Sequence, residues 1–151
     1  PGSTIKIEGL FSSRFMNYQV RGVWPSKPSV GGSPRVTGLV GSTPITTTSY
    51  STALQGFIGG SRVDVQGTGE SNFGEAFVPG VGTAGSGMAE IFNPNGAGPT
   101  FILAQTSLTG GVTGVSTSSN VLNATNQLTG LQLYLGPGAP WTATLSFYGL
   151  S

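Results

Sequence analysis

Apolar and polar residues alternate in short stretches along the whole chain. In the clearest stretch, residues 141–148, Trp, Ala, Leu and Phe are interleaved with Thr, Ser and Tyr. Residues 5–8 and 62–65 follow the same period of two. Successive side chains of a strand point to opposite faces, so this period predicts strands with one face on a core and the other face on solvent or a partner.

Further strands are predicted between clusters of glycine and proline, which interrupt the chain every few residues. They are Asn17–Trp24, Arg35–Val40, Ala53–Ile58, Met88–Asn93, Phe101–Thr106 and Leu128–Leu135. No window has the 3.6-residue spacing of an amphipathic helix. Ser116–Gln127 is mostly polar, and we interpret it as a surface loop. About eight to ten short strands predict an all-β sandwich or barrel.

The composition fits one domain over residues 1–151, in which residues 1–4 are an N-terminal arm or the remnant of a tag. Charged residues make up 7%, against about 25% in a typical domain, and none follows Glu90. A net charge of +1 gives no attraction to nucleic acid, and no apolar stretch is long enough to span a membrane. So little charge protects a monomer poorly against association, which favours an assembly.

The few charges are distributed unevenly along the chain, which suggests a second contact between subunits. Basic residues predominate before residue 36, and acidic residues predominate from Asp64 to Glu90. A basic N-terminal part and an acidic middle can pair across a subunit contact. The alternative is chance in a small number of charges.

Candidate chemistry is sparse, because the chain has neither histidine nor cysteine. Residues 80–85 match the glycine spacing of a dinucleotide-binding loop, but no helix is predicted after them, as that site requires. A single Asp does not provide the cluster of acidic oxygens that a dedicated calcium site needs, and serine nucleophiles lack a histidine base. Glu70 and Glu75 can approach each other as a carboxylate pair, although scattered surface charges explain them better. We expect no catalytic residue, cofactor or metal, and hence no enzyme.

A carbohydrate-binding module is an alternative that would need exposed aromatic rings and amide groups around a groove. Its candidate ligand-binding residues are Trp24, Tyr50 and Asn72. Trp24 precedes a proline-rich loop, and tryptophan and tyrosine rings stack on sugars when they are exposed.

Three segments suggest similarity to a known class of protein: Phe11–Ser13, Leu128–Tyr134 and Ala143–Leu150. Together with the small size, the Gly/Ser/Thr richness and the scarce charge, they make the chain resemble bacteriophage virion surface β-domains, either capsid decoration proteins or fibre terminal domains. The resemblance implies a jelly-roll antiparallel sandwich without enzymatic activity, which forms a homotrimer on the virion surface. Its implied partners are the major capsid protein or another virion protein, and for a fibre-tip domain a host-surface receptor such as a glycan.

Overall fold

The fold contains eleven strands and is known from a computed structural model that describes residues 4–26, 35–74, 76–78, 84–109, 113–134 and 142–151. The strands are β1 (Thr4–Ile7), β2 (Asn17–Ser26), β3 (Arg35–Val40), β4 (Thr43–Pro44), β5 (Tyr50–Ile58), β6 (Ser61–Glu70), β7 (Ala84–Phe92), β8 (Thr100–Thr109), β9 (Gly114–Leu122), β10 (Gly130–Tyr134) and β11 (Thr142–Leu150). Thr4 therefore belongs to a strand and not to an N-terminal arm. Trp141, the first residue of the alternating stretch, lies outside the described residues.

The strands form two antiparallel sheets of unequal width. The small sheet has the order β1-β10-β3-β4, and the large sheet has the order β11-β2-β7-β8-β9-β5-β6. The prediction of an all-β sandwich is thus confirmed. The jelly-roll connectivity stays a prediction: β5 and β6 form a hairpin, and β7, β8 and β9 form a meander, both within the large sheet.

Two strands were missed by the sequence pattern, namely the two-residue β4 and the nine-residue β9. The interpretation of Ser116–Gln127 as a surface loop is wrong up to Leu122, because this part pairs with β5 and β8 in β9. The inward-facing positions include Ser118 and Asn120, which are 9% and 2% exposed. Polar residues on both faces remove the alternation on which strand prediction depends.

The core lies where the two sheets overlap. Val20, Ile91 and Ile102 fill it from the large sheet, and Val36 and Leu133 fill it from the small sheet. On the edge strand β11 the same face carries Ala143, Leu145 and Phe147, which are partly buried against the core. The alternation therefore assigned the faces of this strand correctly.

A connecting segment of residues 71–74 and 76–78, called the crossing segment below, lies between the sheets. Its backbone pairs with the small sheet, where Val36 N donates to Gly74 O (2.9 Å) and Phe73 N donates to Val36 O (2.8 Å). Thr106 Oγ1 of the large sheet donates to Ala76 O (3.1 Å). The segment thus buries Phe73 and Phe77 completely and satisfies its backbone from both sheets.

Tyr50 connects the two sheets directly. It begins β5 in the large sheet, and its phenol donates to Ile45 O (2.9 Å) and accepts from Gly38 N of β3 (3.2 Å). Its ring meets Phe73 edge to face, with the ring centroids 4.6 Å apart. Burial raises the pKa of the Tyr50 phenol from 10.0 to about 12, and the Gly38 hydrogen bond offsets part of that shift.

Trp24 occupies the other end of the overlap, where its indole is 1% exposed. It packs beside Phe77, with the ring centroids 6.2 Å apart. The indole lies directly over Gly22 on the same strand face, and a Cβ on Gly22 would overlap its six-membered ring. The absence of a side chain at Gly22 therefore gives the indole its place in the core.

The buried phenol predicts a loss of stability at alkaline pH. Because the pKa of Tyr50 is raised in the native state, the stability that its neutral phenol contributes is complete below pH 10, the pKa in the unfolded state. This stability is lost as pH rises toward about 12. We expect the free energy of unfolding to fall in that interval by up to about 1.4 kcal/mol per pH unit. Urea unfolding from pH 9 to about 11.5 measures it. In Tyr50→Phe the component should vanish, and stability at neutral pH should fall by about 1–3 kcal/mol because the Gly38 and Ile45 groups lose their partner. An identical alkaline slope in both proteins would contradict the assignment.

Gly22→Ala should destabilise the protein by about 1–3 kcal/mol, because the new methyl group competes with the Trp24 ring in a packed core. The matched control is Gly98→Ala, where a Cβ would meet its nearest neighbour, Asn93 Nδ2, at an ordinary 3.5 Å. Thermal unfolding followed by tryptophan fluorescence compares the two variants. Equal melting temperatures would show that Trp24 does not depend on the space at Gly22.

Candidate functional site

The outer face of the large sheet, defined as the side turned away from the small sheet, is uncovered in the chain described here. The strand register aligns its side chains in rows, so that Leu103 at the centre stands between Glu90 of β7 and Ser119 of β9. Six large apolar side chains on this face are at least 45% exposed: Val23, Phe57, Phe101, Leu103, Val115 and Tyr148. Large exposed apolar patches mark interaction sites more often than chance.

Charges on the outer face are few and are kept close to their neighbours. Arg21 Nε donates to Gln19 Oε1 (2.8 Å), and its guanidinium lies 5.7 Å from the centroid of the Tyr148 ring. On the edge strand, Arg62 and Asp64 form an exposed ion pair at 3.5 Å. The centre of the face consists of shallow hollows lined by residues such as Met88, Gln105 and Thr117. Such a surface suits contact with a large, flat partner.

A second feature is the cleft under the β5–β6 hairpin, on the inner side of the large sheet. No described residue of β6 is buried, so the small sheet does not extend under this hairpin. The resulting cleft has a volume of about 440 Å³. One end is aliphatic and is formed by Leu54, Ile58, Val63 and Val65. Val65 is 53% exposed although it alternates correctly with its polar neighbours.

The other end of the β5–β6 cleft is polar. Gly67, Thr52 and Asn120 lie side by side in one row across β6, β5 and β9. Asn120 Nδ2 donates to Ser118 Oγ (3.1 Å) in the next row. Because Gly67 has no side chain, Glu70 Oε1 and Thr52 Oγ1 both approach it: they lie 2.9 Å and 3.3 Å from the place of a Cβ. Hydroxyl, amide and carboxylate groups thus converge in one small volume.

The three residues predicted to bind a ligand lie in different places. Trp24 and Tyr50 are core residues, 1% and 0% exposed, so neither ring has a face free for stacking on a sugar. The Trp24 indole nitrogen is buried and has no hydrogen-bond partner among the described residues. Asn72 does line the β5–β6 cleft. Its amide also holds the crossing segment, because Gly74 N donates to Asn72 Oδ1 (2.8 Å).

Sequence reasoning missed Thr52, Ser118 and Asn120 as site residues. The available signal is the polarity of residues 116–120 itself, although such polarity also predicts a surface loop. Once β9 is recognised as a strand between two others, its polar inward positions become the unusual feature.

In the described part of the chain, the structure bears on the glycine motif, on metal sites and on membrane-spanning helices. Ala84 and Gly85, at the end of the glycine motif, lie in strand β7 and not in a helix; Glu75, Gly80 and residues 81–83 lie outside the described residues. No three His, Cys, Asp or Glu side chains in the described ranges are grouped to hold a metal ion. The same ranges contain no helix that is long and apolar enough to cross a membrane.

No protein-family model matches the chain, and no curated protein is significantly similar to it in sequence. The function therefore has to be argued from the residues of the outer face and of the β5–β6 cleft.

The role of Asn72 in the crossing segment is testable by its two closest replacements. Asn72→Ala removes the acceptor for Gly74 N–H and should lower the free energy of unfolding by about 1 kcal/mol. Asn72→Asp retains an acceptor oxygen at the same place and should keep most of the stability. Urea unfolding of both variants measures the difference. An equal loss in the two would mean that the turn does not depend on this hydrogen bond.

Proposed function

We propose that the protein is a non-enzymatic structural protein of a bacteriophage virion surface. In this role it assembles as a homotrimer and docks on the major capsid protein or another virion protein, as a decoration or head-protrusion protein. The outer face of the large sheet is its contact with neighbouring subunits.

The exposure of the outer face is the observation that carries this proposal. A monomer in solution normally leaves apolar side chains exposed singly, whereas here six large ones share one sheet face. Most of their neighbours on this face are serine, threonine and glutamine, with Glu90 beside Leu103, so that contact with a neighbour desolvates few charges. Depletion of charge and enrichment of aromatic residues and methionine are typical of the buried centre of an interface.

The charges of the outer face favour a second copy of the same chain as its occupant. Arg21 and Glu90 lie on neighbouring strands of this face, β2 and β7. A ring of three subunits joins two different patches of each chain, so a face that carries both cations and anions can pair with a neighbouring copy. Arg21 belongs to the basic N-terminal part and Glu90 to the acidic middle, so this contact is one form of the pairing expected between the two parts.

The assembly is tested by the mass of the protein in dilute solution. Native mass spectrometry or sedimentation should give three times the mass of one chain. Leu103→Lys places a charge at the centre of the outer face and should shift the protein to monomers. Because Leu103 is 51% exposed, the unfolding stability of the monomer should change by no more than about 0.5 kcal/mol.

The control variant is Thr46→Lys, which adds the same charge at an exposed position between β4 and β5, away from the outer face. It should leave the mass unchanged. A wild-type protein that is a monomer and also fails to sediment with purified phage particles would contradict the proposal. A trimer unaffected by Leu103→Lys would remove the outer face as its contact.

A further inference from the structure

The polar inward side of β9 is not explained by folding. Ser118 and Asn120 occupy positions that face the interior of a sandwich, where apolar side chains give more stability. Their mutual hydrogen bond replaces bonds to water and contributes little net free energy. Buried polar residues that do not serve folding are candidates for binding.

These polar groups do not stand alone, because the strand register brings others to them. Thr52 lies directly opposite both Asn120 and Gly67, and side chains in such pairs are about 4.5–5.5 Å apart at their Cβ atoms. A Cβ at Gly67 would lie 2.9 Å from Glu70 Oε1 and 3.3 Å from Thr52 Oγ1, so the missing side chain lets the carboxylate and the hydroxyl come close together over the strand. Donors and acceptors from Thr52, Glu70 and Asn120 therefore converge at the polar end of the cleft.

The opposite end of the cleft offers a wall of aliphatic side chains, formed by Leu54, Val63 and Val65 with Ile58. A ligand that fits both ends has hydroxyl or amide groups on one side and C–H groups on the other. The volume of about 440 Å³ falls within the range of small-molecule sites.

The charge of the cleft selects further among such ligands. Among the described residues, its lining contains one guanidinium, that of Arg35, and one carboxylate, that of Glu70. These two charges oppose each other, so the described lining gives neither an anion nor a cation a net attraction. We infer that the β5–β6 cleft binds a neutral sugar, with its hydroxyl or N-acetyl amide groups on Thr52, Asn120 and Glu70 and a C–H face against the aliphatic wall.

This inference goes beyond the proposed assembly, because the cleft lies on the inner side of the large sheet and the assembly contact lies on the outer side. A peptide added along the free edge of β6 is the competing occupant. It would pair with the backbone of β6 and leave the polar groups on β5 and β9 unused. The polar end therefore favours the sugar.

The test is a titration of the wild-type protein with N-acetylglucosamine, N-acetylgalactosamine, glucose and galactose, followed by ligand-observed NMR. Glucosamine and glucuronic acid serve as charged comparators. At least one neutral sugar should bind saturably, with a dissociation constant in the millimolar range or lower, and should bind better than the charged analogues. Failure of all four neutral sugars to bind saturably overturns the inference.

Two variants locate the binding. Gly67→Val removes no polar group but forces the Glu70 carboxylate and the Thr52 hydroxyl away from their present places, and should weaken binding at least about tenfold. Thr68→Val is its matched control, since it adds valine to the outward side of the same strand and should leave binding unchanged. Retained binding in a folded Gly67→Val protein excludes the cleft as the site.

Asn120→Leu provides a second readout that does not depend on the first variant. If Asn120 serves binding and not folding, this variant should melt at the wild-type temperature or above it and lose sugar binding at least about tenfold. Undiminished binding in Asn120→Leu overturns the role assigned to the polar end. The mass of each variant is measured in parallel, so that loss of assembly is distinguished from loss of sugar binding.

Discussion

In the described part of the chain, a sheet of seven strands packs on a sheet of four, and most other features of the molecule depend on that mismatch. A sandwich buries apolar side chains only where both sheets are present. The overlap here contains Val20, Ile91 and Ile102 opposite Val36 and Leu133. Beyond it, the large sheet continues as the β5–β6 hairpin, on which no described strand of the small sheet packs. The cleft is the direct consequence of this overhang.

The end of the overlap is set by Tyr50 and the crossing segment. The Tyr50 phenol is bonded to Gly38 and Ile45, so the first residue of β5 is fixed to the small sheet. Burial then decreases along the strand from Tyr50 toward Ile58, because no chain of the small sheet follows it. The crossing segment fills the space beside Tyr50 with Phe73 and is held in place by backbone bonds to Val36. One end of the hairpin is therefore rigid, and this rigidity positions the polar groups next to it.

The sequence predicts well which side of a strand faces inward, but it predicts poorly whether a second sheet packs against that side. The alternation of Val63 and Val65 with polar residues indicates the correct inward side, yet Val65 is 53% exposed because no described strand of the small sheet lies opposite it. The reverse holds for Trp24, whose position before a proline suggested exposure although Gly22 makes room for its ring in the core. Strand β9 was missed for a third reason: its inward residues are polar and line the cleft, whereas strand prediction expects apolar residues that line a core. The packing of a second sheet, the space beside a side chain and contact with a ligand all depend on residues that are distant in sequence. A local pattern carries no information about them.

The distribution of charge bears on how such a chain avoids uncontrolled association. The long edge strand β6 leaves one side of its backbone unpaired within the described chain, and an unprotected edge of this kind recruits other strands. Arg62, Asp64 and Glu70 are all on β6, where charge discourages a second strand from pairing. At the other end of the same strand, Gly69 has a φ of 71° in the left-handed region, next to an irregularity in the pairing with β5 that interrupts a regular edge. Charge is therefore concentrated at an edge, where association would be open-ended, and is nearly absent from the centre of the outer face, where a closed symmetric contact can form. This arrangement favours one directed contact over many unspecific ones.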